Sequence, residues 1–167
     1  MPQSNSPTHQ PNSGQNKLIN NLFYYEINDT RIFIESGIKM EVLEQSIIYP
    51  VPNAPKWYSG TTSLRGDILI IVNLHFLLNA KLSSKKRRLL KLEHPDFPPL
   101  ALAVDSPPHQ YDVNTLMDGK KTNNKNYPEW ITSFSTHNNY TYLFADHAAL
   151  FNAMQSNSAP AQSTGDN

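Results

Sequence analysis

The stretch PVPNAPKWYSGTTSLRGDILIIVNL, residues 50–74, decides the architecture. It opens with Pro50, Pro52 and Pro55, whose fixed φ stiffens the entry and lowers the entropy of the unfolded chain. Gly60 and Gly66 bracket residues 61–64, where the backbone takes a positive φ or meets another segment closely. Residues 68–74 then run apolar except for Asn73, as expected of a strand buried on both faces. Arg65 is a cation in apolar company. It either pairs with an acid inside the fold or projects at a partner, and the two are compatible. Trp57 is either core or an interface anchor, since Trp and Arg most often carry binding energy.

Strand patterns continue on both sides. Residues 22–27 read as a strand, Asn28-Asp29 as a turn, and residues 31–35 as the hairpin partner, with Ile32 and Ile34 on one face and Phe33 on the other. Residues 38–43, 47–51, 89–92, 100–104, 130–135 and 141–145 are further extended segments rich in Ile, Val, Leu, Tyr and Phe. Thirteen prolines leave room only for short helices. Two are expected, over residues 74–78 and 146–154. In the second, Asp146 caps, and Leu150, Phe151 and Met154 share one apolar face. Many short strands separated by turn signals make an all-β barrel or sandwich.

A chain of 167 residues suits one domain, or one domain built of two small barrels. Residues 1–16 and 155–167 are polar tails too poor in apolar surface to offset their ordering entropy, so both are expected to be disordered around a folded unit of residues 17–154. Fourteen basic residues balance fourteen acidic ones, which argues against a general nucleic-acid binder. The absence of cysteine excludes disulfide scaffolds, thiol catalysis and Cys-based metal sites. No apolar run approaches the ~18 residues of a membrane span, and no basic segment followed by an apolar one opens the chain. The expectation is a cytoplasmic protein without direct membrane insertion.

Catalytic chemistry finds no foothold. Six histidines stand at positions 9, 75, 94, 109, 137 and 147, none spaced to place two metal ligands on one helix face, so neither metal nor cofactor is expected. No nucleophile elbow is present; in the glycine-bracketed segment Arg65 stands where a phosphate cradle needs lysine. Glu41 and Glu44, three apart, face opposite sides of a strand, and Asp105 before Ser106-Pro107-Pro108 shapes a turn. The basic run Lys85-Lys86-Arg87-Arg88 reads as a solvated loop, with a patch for an acidic partner as the alternative. Arg65-Gly66-Asp67 and the acceptor tripeptides at Asn28 and Asn139 are coincidences of composition. Two other function classes keep some material. A β-barrel nucleic-acid binder would use Tyr24, Tyr25, Phe33 and the basic run. A hydrolase would assemble His75, Asp105 and His109.

Residues 50–74 resemble the signature of the CheW-like chemotaxis coupling proteins: a proline-bracketed turn, an aromatic, a glycine, a short strand, then Leu64-Arg65-Gly66 and an apolar strand that in the family ends in Asp-Leu and here in Asn73-Leu74. Residues 22–34 are similar to that family's opening hairpin, and Met40-Glu41-Val42 to the step that follows. Leu100-Ala101-Leu102-Ala103-Val104-Asp105 resembles a downstream strand, and residues 130–151 the closing hairpin and helix. The likeness extends over nearly all of residues 18–154, and Trp57 gives it the look of the type IV pilus (twitching-motility) variety. Departures are Asn73 where the family has Asp, Ile70 for Pro, Asn79 for Gly, and Ser106-Pro107-Pro108-His109 after Asp105.

The resemblance implies two packed five-stranded SH3-like β-barrels with a short C-terminal helix, the chain ends sharing one barrel and the middle forming the other. It implies a non-enzymatic adaptor, without catalytic residues, that joins the cytoplasmic tip of a chemoreceptor to the regulatory domain of a CheA-type histidine kinase in membrane receptor arrays. The residues it points to for partner binding are Glu41, Val42, Trp57, Leu64, Arg65, Gly66 and Asn73. Nucleic acid has no part in that function.

Overall fold

The computed structural model describes residues 22–82, 87–111 and 126–156. Residues 1–16, the C-terminal tail from residue 157, and Lys85 and Lys86 of the basic run lie outside the described residues. Among the described residues, two five-stranded sheets and two short helices make up the fold.

In the first sheet, β1 (Leu22–Ile27) and β2 (Thr30–Ile34) form the opening hairpin, with Asn28 at φ 52° in its turn. β10 (Tyr140–Ala145) returns from the far end of the chain to lie parallel to β2, and β9 (Ile131–His137) pairs with it through Asn138-Asn139. Both asparagines have positive φ, 49° and 64°, the pair of left-handed residues that a type I′ turn needs. β8 (His109–Tyr111) adds outside β1. The second sheet orders β3 (Lys39–Leu43), β6 (Arg88–His94), β7 (Phe97–Val104), β5 (Asp67–Asn73) and β4 (Tyr58–Leu64). The chain ends thus share one sheet and the middle builds the other, as the resemblance implied.

The two-residue period of each strand sorts side chains into layers. Tyr25, Ile27, Ile32, Ile34 and Leu143 of the first sheet pack against Val72, Leu90, Leu92, Leu100, Leu102 and Val104 of the second. α1 (Leu74–Leu77) adds Leu74 and Leu77, and α2 (His147–Gln155) adds Leu150, Phe151 and Met154. The other face of the second sheet carries a smaller core of Leu43, Leu69, Ile71, Leu89, Ala101 and Ala103. Along β7, large side chains face the main core and alanines the small one, so the sheet can curve over that side. The other face of the first sheet is aromatic. Phe33, only 5% exposed, meets Tyr24 and Tyr111 edge-on and lies against Tyr142 and Phe144. β2 is therefore buried on both faces.

The structure corrects several expectations. Both sheets are SH3-like, but among the described residues no ladder closes either into a barrel. Residues 68–74 are not buried throughout, because Ile68 at the start of β5 is 77% exposed. Residues 47–51 form no full strand. Tyr49 alone bridges Thr61, exchanging both backbone hydrogen bonds at 2.8 and 2.9 Å. This crossing explains Gly60, since a Cβ there would sit 2.5 Å from the Tyr49 carbonyl oxygen.

Two polar ties fasten the elements, one buried at Asp105 and one half-exposed at Glu35. The Asp105 carboxylate, at the end of β7, accepts the backbone N–H of Asn28 at 2.7 Å and lies 3.1 Å from Nε2 of His75 on α1. The Asp105 N–H donates to the Glu26 carbonyl at 2.9 Å, so the second sheet grips the first sheet's hairpin. At α2, the Glu35 carboxylate accepts the His147 backbone N–H at 2.7 Å and stands 3.3 Å from its Nδ1. Burial pushes the His147 imidazole below its ordinary range, against the opposing pull of Glu35.

Removing the first tie strands a buried imidazole and a buried N–H. Asp105→Ala is expected to lower the unfolding free energy by about 2–4 kcal/mol in urea titrations, and Asp105→Asn, which keeps an acceptor for Asn28, by less. The His147 shift has a fixed sign. The folded imidazole stays neutral while the unfolded chain takes up a proton near pH ~6.5. Its contribution to stability is thus complete above that pH and falls as the pH drops below it. Thermal melts should show a smaller acid-side loss of stability for His147→Gln than for the unaltered chain.

Candidate functional site

The hairpin that joins β4 to β5 turns on two residues, Arg65 and Gly66, with Leu64 paired to Asp67. Their φ values are 50° and 93°, again a type I′ turn. Nothing lies within 4 Å of a Cβ built on Gly66, so the conformation rather than crowding asks for glycine there. Arginine is the unusual choice. A side chain in the left-handed region costs roughly 1–2 kcal/mol, and Asn or Gly would cost less. Such strain persists where the surroundings hold it and the position serves a purpose.

What holds it is Glu41. The guanidinium meets that carboxylate through Nη2 at 2.7 Å and Nη1 at 3.3 Å, a two-pronged contact. Glu41 lies on β3, one edge of the sheet, while Arg65 extends from β4, the opposite edge. The ion pair therefore spans the opening that the backbone leaves unclosed. The side chains are 36% and 73% exposed, and so open a pair contributes about 0–1 kcal/mol. Its effect is to fix where a charged group points on the surface.

Of the sequence-derived residues, Glu41, Leu64, Arg65 and Gly66 come together at this end of the second sheet. Leu64 is half-buried against the small core beneath the pair; Val42 points to the other face and packs on the main core. Trp57 and Asn73 stand apart. Trp57 is 6% exposed with its ring edge-on to Tyr58, so its side chain is core and offers no anchor to a partner. Asn73 caps α1: its Oδ1 accepts the Phe76 N–H at 3.2 Å, and its own N–H donates to the Trp57 carbonyl at 2.6 Å. An asparagine performs that task as well as the aspartate it replaces.

Two residues escaped the sequence. Lys91 and Glu93 on β6 lie directly across from Glu41 and Lys39. They form an ion pair, and Lys91, through its hydrogen bond and its charge, holds the Glu93 carboxyl below its ordinary range. The alternation in Leu89-Leu90-Lys91-Leu92-Glu93 carries a signal, but only the register with β3 shows what these charges face. Ile68 at the start of β5, and Ile47, Ile48, Tyr49 and Val51 in the segment that crosses β4, are exposed apolar residues.

Part of the material for the competing chemistries is buried, while Tyr24 is half-exposed and Arg87 and Arg88 are exposed. Tyr25 and Phe33 are buried and present no ring for a base to stack on. His75 does meet Asp105, but both side chains are sealed, at 0% and 1% exposure, and His109 lies on the other sheet against Tyr24. Among the described residues no cluster of three His, Asp or Glu side chains could hold a metal ion.

Comparison with known proteins adds three findings. The model of the CheW-like domain matches residues 28–155. The scaffolding protein TtCheW from Thermoanaerobacter tengcongensis has a similar fold, with a TM-score of 0.62 at 15% identity over 84% of this chain and 96% of that one. No curated protein sequence matches.

The turn and the cap separate in their effects on stability. Arg65→Asn, which suits the left-handed turn, should change the unfolding free energy by no more than about 0.5 kcal/mol. Asn73→Ala should lower it by about 1 kcal/mol. Chemical denaturation of the two variants checks both.

Proposed function

The chain belongs to the CheW-like domain family, and on that premise we propose that it couples the cytoplasmic tips of methyl-accepting chemoreceptors to the regulatory domain of a CheA-type histidine kinase. The family and its fold are those of a non-catalytic chemotaxis scaffold. One observation carries the reading to this chain: Arg65 is held by Glu41 at the tip of a strained turn, three-quarters exposed, where neither stability nor turn geometry asks for an arginine.

The adaptor works by docking, with no reaction and no cofactor. Glu41, Leu64, Arg65 and Gly66 form the face that meets a partner, and Val42 supports it from the core side. A scaffold of this kind biases the kinase only as far as it binds one kinase state more tightly than another. Trp57 at its position is the feature shared with couplers of the type IV pilus pathway, and twitching motility is the output we assign. Among the described residues no helix is long and apolar enough to cross a membrane. In this reading the adaptor is cytoplasmic and is held at receptor arrays by its partners.

Calorimetric titration against the regulatory domain of the CheA-type kinase from the same cell tests the proposal. Binding at about micromolar affinity or tighter, one to one, is expected. Arg65→Asn should weaken it by about tenfold or more without loss of fold. No binding at high concentration by a protein with an intact circular dichroism spectrum would reject the kinase as partner.

A further inference from the structure

Four charges on neighbouring strands, Glu41 of the Glu41–Arg65 pair among them, form a checkerboard. Lys39 and Glu41 lie two residues apart on β3, hence on one face. Their direct partners on β6 are Glu93 and Lys91. Each charge thus has an opposite charge beside it along the strand and across it. Opposed Cβ atoms in such a ladder are about 4.5–5.5 Å apart, so all four interact. Arg65 enters from the far edge, close enough to Glu93 to help keep it ionised.

Exposure in this group is graded. Lys91 is buried, Glu93 and Glu41 are partly open, and Arg65 is the most open. A buried ammonium facing Ala101 is a costly way to fill a strand position, since an apolar side chain of similar volume is often neutral or stabilising there. What lysine adds is a cation that pairs with Glu93 and stands across the strands from Glu41.

We propose that Lys91 is a positioning residue and Glu93 a further contact of the docking face: the ammonium holds Glu41 and Glu93 beside the Arg65 guanidinium, and the surface so formed receives a protein partner that brings a basic side chain to Glu93 and an acidic one to Arg65. This rests on the reading of Glu41 and Arg65 as a docking pair. Such complementarity acts on encounter rate and partner choice, and salt weakens it.

Lys91→Met keeps the buried aliphatic length and removes the charge, Lys91→Arg keeps the charge, and Glu93→Gln changes an exposed group alone. Titrated against the kinase regulatory domain at low salt, Lys91→Met and Glu93→Gln should each bind about tenfold more weakly, with the difference shrinking as salt rises. Lys91→Arg should recover most of the loss. Carbon-13 titration should find the Glu93 carboxyl nearer its ordinary value in Lys91→Met. If both charge-removing variants bind within about twofold of the unaltered protein while Arg65→Asn does not, the face ends at Arg65 and the proposal is overturned. If Arg65→Asn also binds unchanged, the docking pair itself is lost, and this extension with it. Should Lys91→Met fail to fold, Glu93→Gln decides the matter alone.

Discussion

One buried carboxylate, Asp105, joins the two sheets. It sits where β7 ends, and its oxygen is shared between the Asn28 N–H and the His75 ring. A charge placed there cannot be left alone, because an unpaired ion in an apolar interior costs several kcal/mol. Its partners must come from outside β7: one from α1, the other from the hairpin of the opposite sheet. The angle between the sheets is thereby tied to a hydrogen-bond geometry as well as to the less directional packing of Leu90, Leu92, Leu100, Leu102 and Val104 against Tyr25, Ile27 and Ile32. The helices follow, since α1 carries His75 and α2 closes the remaining side with Leu150, Phe151 and Met154.

With one face of each sheet committed to the shared core, the other faces are covered in different ways. The first sheet uses rings: Phe33 lies among Tyr24, Tyr111, Tyr142 and Phe144, and the Arg31 guanidinium lies 3.6 Å from the Tyr140 ring centre while binding Glu26 and the Tyr142 hydroxyl. The Glu26 and Arg31 charges in that layer are answered within the sheet. The second sheet has only a small core over its alanines, and its rim is charged. Glu41, Glu93 and Arg65 stay at the surface around the buried Lys91, so this end of the molecule offers directed charges and the aromatic end does not.

Local patterns carried much of the fold. The apolar run of residues 22–27, the alternation in residues 31–35, the capping Asp146 and the apolar face of α2 depend on near neighbours, and all were legible. β4 begins at Tyr58-Ser59-Gly60, a sequence without strand character, because Gly60 answers to the Tyr49 carbonyl that crosses it. β8 follows two prolines and exists through its pairing with β1. Ile68 reads as core and is not, since burial at a strand's end depends on what the opposite sheet covers. In the site, Arg65 stood out as a cation in apolar company, and the acid it pairs with, Glu41, lies at the surface rather than inside the fold. Lys91 and Glu93 carried no such signal, because their meaning lies in which strand they face.

The crossing of Tyr49 over Gly60 has a consequence for how the molecule tolerates crowding. β4 is the last strand of its sheet, and a bare last strand is a template on which another chain can polymerise. Here Tyr49 takes up the N–H and carbonyl of Thr61. The covering segment is itself a poor template, because Pro50 and Pro52 have no N–H to donate and the Val51 carbonyl already accepts from Ala54. The exposed Ile47, Ile48 and Tyr49 side chains can therefore meet another surface without recruiting its backbone. At this edge, copies of the molecule can touch without extending one another's sheet.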